Sequence, residues 1–251
     1  MSLRARAKRV AKQSPVKPEN LSERLSPFRR RLLRRGAEGA TPRNDMLIIF
    51  FLFLTACTSS TPLATPQVVT VYSTFAAQPW LTPLYACTES SAVISRVDDS
   101  SSADIVLRVG EPEFLASPAY QIDTEEILIV THRQSPIQNL TLEGVRALFM
   151  GQGNQSVQVW VYASEEDVQI VFDQVVTTGR SVTPSARLAV NPQQMSDALV
   201  NESNTVGILP RHWKAGDARD VYLVAKVPVL AITQNEADGI IKGLLACLQK
   251  Q

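Results

Sequence analysis

Two histidines, His132 and His212, and three cysteines, Cys57, Cys87 and Cys247, are the scarcest reactive side chains of this chain. Neither histidine stands at metal-ligand spacing from a cysteine, an aspartate or the other histidine. No G-x-S-x-G elbow and no phosphate-binding glycine loop occurs. No metal or cofactor is therefore expected, and catalysis finds little support. A surface hydrolase would need a reactive serine brought near His132 or His212 from far along the chain. Trp80, Trp160 and Trp213 are dispersed, and such residues fill cores and interfaces more often than they line clefts. The cysteines say more. Cys57 directly follows an apolar run, while Cys87 and Cys247 lie near the two ends of the chain that follows it. An even pair in an exported chain can form a disulfide, with two buried free thiols as the alternative, and the sequence does not bring the two together.

The charge pattern divides the chain at Cys57. Residues 1–56 hold 13 of the 25 Lys and Arg but 4 of the 24 Asp and Glu, a balance of +9. The remaining 195 residues carry a balance of −8 and no basic stripe, which argues against a nucleic-acid partner. The run from Met46 to Leu54 is nine apolar residues, well short of the roughly 20 a membrane-spanning helix needs. Its length suits the apolar core of a secretory signal. The Leu54-Thr55-Ala56-Cys57 that ends it resembles the lipobox of bacterial lipoproteins. That resemblance implies cleavage before Cys57, a diacylglycerol on its thiol, and anchoring on the extracytoplasmic face of the cell membrane. A buried core strand with an incidental cysteine is the competing reading, disfavoured because residues 58–67 are a Ser/Thr/Pro-rich tether. Upstream, Arg29-Arg30-Arg31-Leu32-Leu33-Arg34-Arg35 belongs to a long basic n-region. It could instead precede a true start nearer Met46, although a chain starting there has no Lys or Arg before its apolar core. The chain thus divides into a basic extension with signal peptide (1–56), a flexible tether (57–67) and a folded domain (68–251).

Within 68–251, short β-branched runs bounded by turn residues predict strands at 68–72, 93–97, 104–109, 127–131, 157–162, 187–190, 206–209, 221–224 and 227–232. Most are continuous apolar runs, as in strands buried on both faces. Helical patterns lie between them, so the class is α/β. Thr141 is placed to cap a helix that stops at Gly151. Ser164 precedes Glu165-Glu166-Asp167, three acids suited to a first turn, and Val168, Val171, Phe172 and Val175 follow at helical spacing. Asn191-Pro192 reads as a cap followed by proline at the first helical position. Thr233 and Glu236 form a capping-box pattern ahead of a C-terminal helix with Ile240, Ile241, Leu244, Leu245 and Leu248 on one stripe.

The order of these elements, with Glu126-Ile-Leu-Ile-Val130, Ser135-Pro136, Leu140 to Gln152 and Asn204-Thr-Val-Gly207-Ile-Leu-Pro210, resembles phosphate-type substrate-binding proteins of ABC transporters. The resemblance covers most of 68–248. It implies a two-lobed, periplasmic-binding-protein-like (type II) domain with a hinge of two crossover strands. Lobe I would comprise about 68–126 and 206–251, and lobe II about 127–205, with the second crossover at Asn204–Pro210. Cys87 and Cys247 would then share a lobe, which makes their disulfide feasible. The ligand cleft implied by the family falls on Ser73 and Thr74, on Arg108 and Gly110 with Glu111 beside them, on Thr131, and on Ser164. For each the plainer role is a solvated loop or a cap: a helix cap for Ser164, a surface ion pair for Arg108. Ser73-Thr74-Phe75-Ala76-Ala77 lacks the glycines that let a backbone approach an anion. The carboxylates after Ser164 would repel phosphate. The expected function is a lipid-anchored solute-binding protein with a small-molecule or anion ligand, serving an ABC permease, its phosphate-specific site not retained. The alternative is a degenerate binding domain acting as a surface sensor or scaffold for a protein partner.

Overall fold

The computed structural model describes residues 66–88, 92–153 and 156–251. Cys57 and the signal segment lie outside them. In chain order the elements are β1 (Gln67–Ser73), α1 (Leu81–Ala86), β2 (Ala92–Arg96), β3 (Ile105–Val109), β4 (Ala119–Thr131), α2 (Leu142–Phe149), β5 (Gln158–Val161), α3 (Asp167–Phe172), β6 (Arg187–Leu188), α4 (Pro192–Asn201), β7 (Thr205–Pro210), β8 (Arg219–Thr233) and α5 (Gly239–Leu248). Short 3-10 turns precede α1 and follow β7, and a π-helical turn, 173–177, extends α3.

The eight strands form one mixed sheet in the order β2-β1-β3-β8-β4-β7-β5-β6. Its centre is a long antiparallel ribbon of β4 and β8, paired from Ala119 opposite Ile232 to Thr131 opposite Arg219. The parallel group β2-β1-β3 attaches to one end of this ribbon, where β3 pairs with Val229–Thr233 of β8. The second parallel group, β7-β5-β6, attaches to the other end, where β7 pairs with Ile127–Thr131 of β4. The two groups are displaced along the ribbon, and this displacement makes two lobes. Three register shifts interrupt the β4–β8 pairing, at 121/123, 127/128 and 129/130.

Each lobe has its own reason to fold. β3 buries Ile105, Leu107 and Val109 while Val106 and Arg108 are half-covered, so this strand alternates instead of being buried on both faces. β7 is buried at all six positions, as a parallel strand packed on both faces should be. Thr141 caps α2, its hydroxyl accepting from the Gly144 amide at 3.2 Å, and Asn191 caps α4 through the Gln194 amide at 2.9 Å. The rings of Phe149 and Phe172 pack at 4.6 Å between centroids, joining α2 to α3. Cys87, just beyond α1, is disulfide-bonded to Cys247 of α5, with Cα atoms 5.8 Å apart.

Five expectations are corrected. The strands expected at 221–224 and 227–232 are a single strand, β8. The chain recrosses between the lobes through β8, not through 204–210: β7 pairs only with β5 and the far end of β4, so it belongs to the second lobe. That lobe runs from Ile127 to the paired Ala225 instead of ending at 205. The Thr233–Glu236 capping box does not form. Thr233 is the last residue of β8, its hydroxyl donates to the Asn235 carbonyl, and Glu236 accepts from the Tyr120 hydroxyl. α5 starts after Asp238 without a side-chain cap. Ser164 likewise caps nothing. Its hydroxyl donates to Glu165, and α3 begins at Asp167.

Candidate ligand cleft

Strands β1 and β3 run parallel, so their C-terminal ends lie side by side and deliver Ser73-Thr74 and Val109-Gly110 to one edge of the first lobe. The start of α3 meets this edge from the second lobe. The Asp167 carboxylate, 4% exposed, accepts from Arg108 Nη2 at 2.8 Å and, through its other oxygen, from the Val109 backbone amide at 3.0 Å. The Thr74 hydroxyl is buried alongside. It helps hold Asp167 ionised but has no partner of regular hydrogen-bond geometry. Burial is the dominant influence on Asp167 and raises its pKa, while Arg108, Thr74 and the Val109 amide pull the other way. Arg108 Nε is buried without a partner.

Gly110 completes the contact. It has φ +79°, its amide donates to the Pro228 carbonyl at 2.8 Å, and a Cβ placed on it would lie 3.0 Å from Val171 Cγ2 of α3. A bare backbone is what lets the two lobes touch here.

The structure thus brings Thr74, Arg108 and Gly110 together at one interlobe edge. Ser73 stands next to them, its hydroxyl donating to the Thr74 carbonyl at 2.9 Å. Thr131 is turned inward, fully buried, with its hydroxyl donating to the His132 carbonyl. Ser164 is exposed, and it lines a depression with Asp173 and Thr178 on another face of α3. Arg108 does form an ion pair, but a largely buried one between lobes instead of at the surface. Asp167 was legible only as one of three acids, because no local pattern links it to an arginine 59 positions earlier.

A second polar group sits on the ribbon. Glu125 of β4, 1% exposed, bonds His212 Nδ1 at 2.8 Å and accepts from the Arg211 amide at 3.1 Å. Burial raises its pKa, and the charge of His212 opposes that shift. His212 packs against Trp80 at 4.5 Å between ring centroids, and the Trp80 indole donates to Asp123 at 2.9 Å. Trp213 donates to the Ala76 carbonyl at 3.1 Å, tying the turn after β7 to the first lobe. The sequence signal for this group was the acidic run 123–126 inside an otherwise apolar strand.

No protein-family model and no curated protein sequence matches the chain. Solved structures do. A putative phosphate ABC transporter substrate-binding protein from Clostridium perfringens, with bound phosphate, superposes with a TM-score of 0.62 at 14% identity over 72% of this chain and 93% of the other. This chain has the type II periplasmic-binding-protein fold. An ABC-type phosphate transport receptor from Vibrio cholerae matches at a TM-score of 0.55 and 14% identity, over 72% of this chain and 93% of that one. The CcmR regulatory domain of Synechocystis PCC6803, in complex with 2-PG, matches at 0.56 and 10% identity, over 73% and 96%. The fold is therefore shared by transport receptors and by regulatory domains, and at these identities the likeness is one of fold.

Proposed function

We propose that this chain is a lipid-anchored extracytoplasmic binding protein that captures a small anionic ligand between its lobes, serves an ABC-type permease and performs no bond chemistry. One observation carries the reading: Arg108, the Val109 amide and the Thr74 hydroxyl converge at the strand ends on a single carboxylate. Such a set of donors is built for an anion. The phosphate bound to the Clostridium protein supports anion capture by this fold. Phosphate itself is a poor candidate here, because the cradle already holds the Asp167 carboxylate, with Glu166 feeling its charge, and two further negative charges would be repelled. The lipobox-like 54–57 supports anchoring through Cys57. Among the described residues no helix is long and apolar enough to cross a membrane.

A second reading, a surface sensor or scaffold for a protein partner, is favoured by one fact: the converging donors already hold a carboxylate of the protein itself. A thermal-shift screen against carboxylates, phosphate, other oxyanions, amino acids and sugars separates the two. A ligand at 100 times its Kd stabilises by roughly 2.7 kcal/mol, so a clear shift with one anion class supports capture, and a flat screen on folded protein removes it. Membrane fractionation tests the anchor. Cys57→Ala should move the protein from the membrane to the soluble fraction, and unchanged retention would remove lipidation at that residue.

A further inference from the structure

We propose that Asp167 is a tethered ligand: its carboxylate fills an anion site that belongs to the first lobe, and filling it latches the second lobe in place. The inference rests on the proposed anion cleft and goes beyond it by naming the occupant and the class of anion the site accepts.

The donors come from one side only. Arg108 and Val109 lie on β3, and Thr74 follows β1. The acceptor comes from the other lobe, at the first residue of α3. Both carboxylate oxygens are engaged, one by the guanidinium and one by a backbone amide, which is how a bound carboxylate ligand would be held. Two polar atoms at the site remain unsatisfied in this arrangement, Thr74 Oγ1 and Arg108 Nε, both buried. Buried polar atoms are normally paired. The tethered carboxylate therefore uses less of the site's hydrogen-bonding capacity than a free anion could.

The surroundings select the charge of the anion. Burial first, and then the neighbouring charges of Asp167 and Glu165, raise the pKa of Glu166. One negative charge in the cradle is thus already felt by its neighbour. A monoanionic carboxylate matches the group it replaces, whereas a phosphate dianion adds a charge that only Arg108 offsets. Truncation of Asp167 to alanine deletes the carboxylate and leaves space of its own size, which formate fits.

The test uses the full chain in mild detergent, with Asp167→Ala, Asp167→Asn and the Arg108→Ala/Asp167→Ala double variant. Unfolding is followed with added formate, with phosphate, and with chloride at matched ionic strength. Formate should stabilise Asp167→Ala, by about a hundredfold in its folding equilibrium at a hundred times its Kd, while leaving wild type and the double variant unmoved. Phosphate and chloride should do less. Asp167→Asn, which keeps a hydrogen-bond acceptor in place, serves if the alanine variant does not fold: it should be less stable than wild type, with the deficit vanishing in an Arg108→Ala background. Equal responses to formate and chloride, or a formate response that survives loss of Arg108, would overturn the latch. So would an Asp167→Asn deficit that persists without Arg108. The outcomes also separate the two ideas. If wild type is stabilised by an anion and Asp167→Ala gains nothing from formate, capture stands and the latch falls. If only the variant binds, the latch stands and capture by the native protein falls.

Discussion

At Gly110 two independent demands meet in one residue. Its φ of +79° lies where a Cβ costs about 1–2 kcal/mol, and the added carbon would press on Val171 at 3.0 Å. Gly110→Ala should therefore lower stability by about 1–3 kcal/mol, read as a fall in urea midpoint at constant slope. A change within a few tenths would mean that the lobes do not need this close approach. Glu125 makes a prediction of opposite character. Its pKa is raised above 4.5 by burial, so the folded protein binds this proton more tightly than the unfolded chain does. Its contribution is fully favourable below pH 4.5 and is lost as pH rises through the folded value. Glu125→Gln should accordingly be most favourable relative to wild type at neutral pH, and the advantage should shrink as pH falls toward 4.5. A pH-independent difference between the two unfolding curves would show that Glu125 does not titrate as a buried acid. Some of this was legible in the residue order. Thr74, Arg108 and Gly110 were candidates because each ends or follows a strand. Asp167 and Glu125 were not, because burial and a distant partner define their roles, and the acidic runs they belong to, 165–167 and 123–126, do not say which acid is buried.

Among the elements, helices with local caps were the most legible. The Thr141 and Asn191 caps form where their spacing placed them, since a cap is a contact between near neighbours. Where a tertiary partner competes, the local pattern loses. The Tyr120 hydroxyl donates to Glu236, and sheet pairing with Ile105 takes Thr233, so the capping box is dismantled. The two strands expected at 221–224 and 227–232 left Ala225 and Lys226 between them, but both pair with β4, opposite Ile127 and Glu126, so β8 is continuous. Pro228 lies inside this strand, opposite Thr124, and its carbonyl accepts from the Gly110 amide just past the end of β3. The disulfide is an element-scale device as well, because it ties the end of α1 to α5 across 160 positions of chain. Replacing Cys87 and Cys247 together by serine should cost about 2–5 kcal/mol, measured by denaturant unfolding against the oxidised wild type. Equal midpoints would mean that the packing of Leu84, Leu244 and Leu248 holds the two helices without it.

Across the whole domain, the two lobes share the β4–β8 ribbon and touch at a few other places: the Asp167 cradle, Gly110 against Val171, Trp213 on the Ala76 carbonyl and His212 against Trp80. If these contacts and the ribbon together set the lobe arrangement, loosening one contact should shift it. The latch is the charged one. Removing Asp167 leaves Arg108, 17% exposed, facing the other lobe without a counter-ion, and a buried charge stripped of its partner is strongly unfavourable. Opening the cleft returns that guanidinium to water, so the variant gains a reason to separate its lobes that the native protein lacks. Spin labels at two exposed positions, Arg96 in the first lobe and Gln193 in the second, read this directly. Wild type should give one narrow distance distribution. Asp167→Ala should add a longer-distance population that formate suppresses. A distribution unchanged by the substitution would show that the ribbon and the remaining contacts fix the lobes by themselves, making Asp167 a contributor to stability without control over closure.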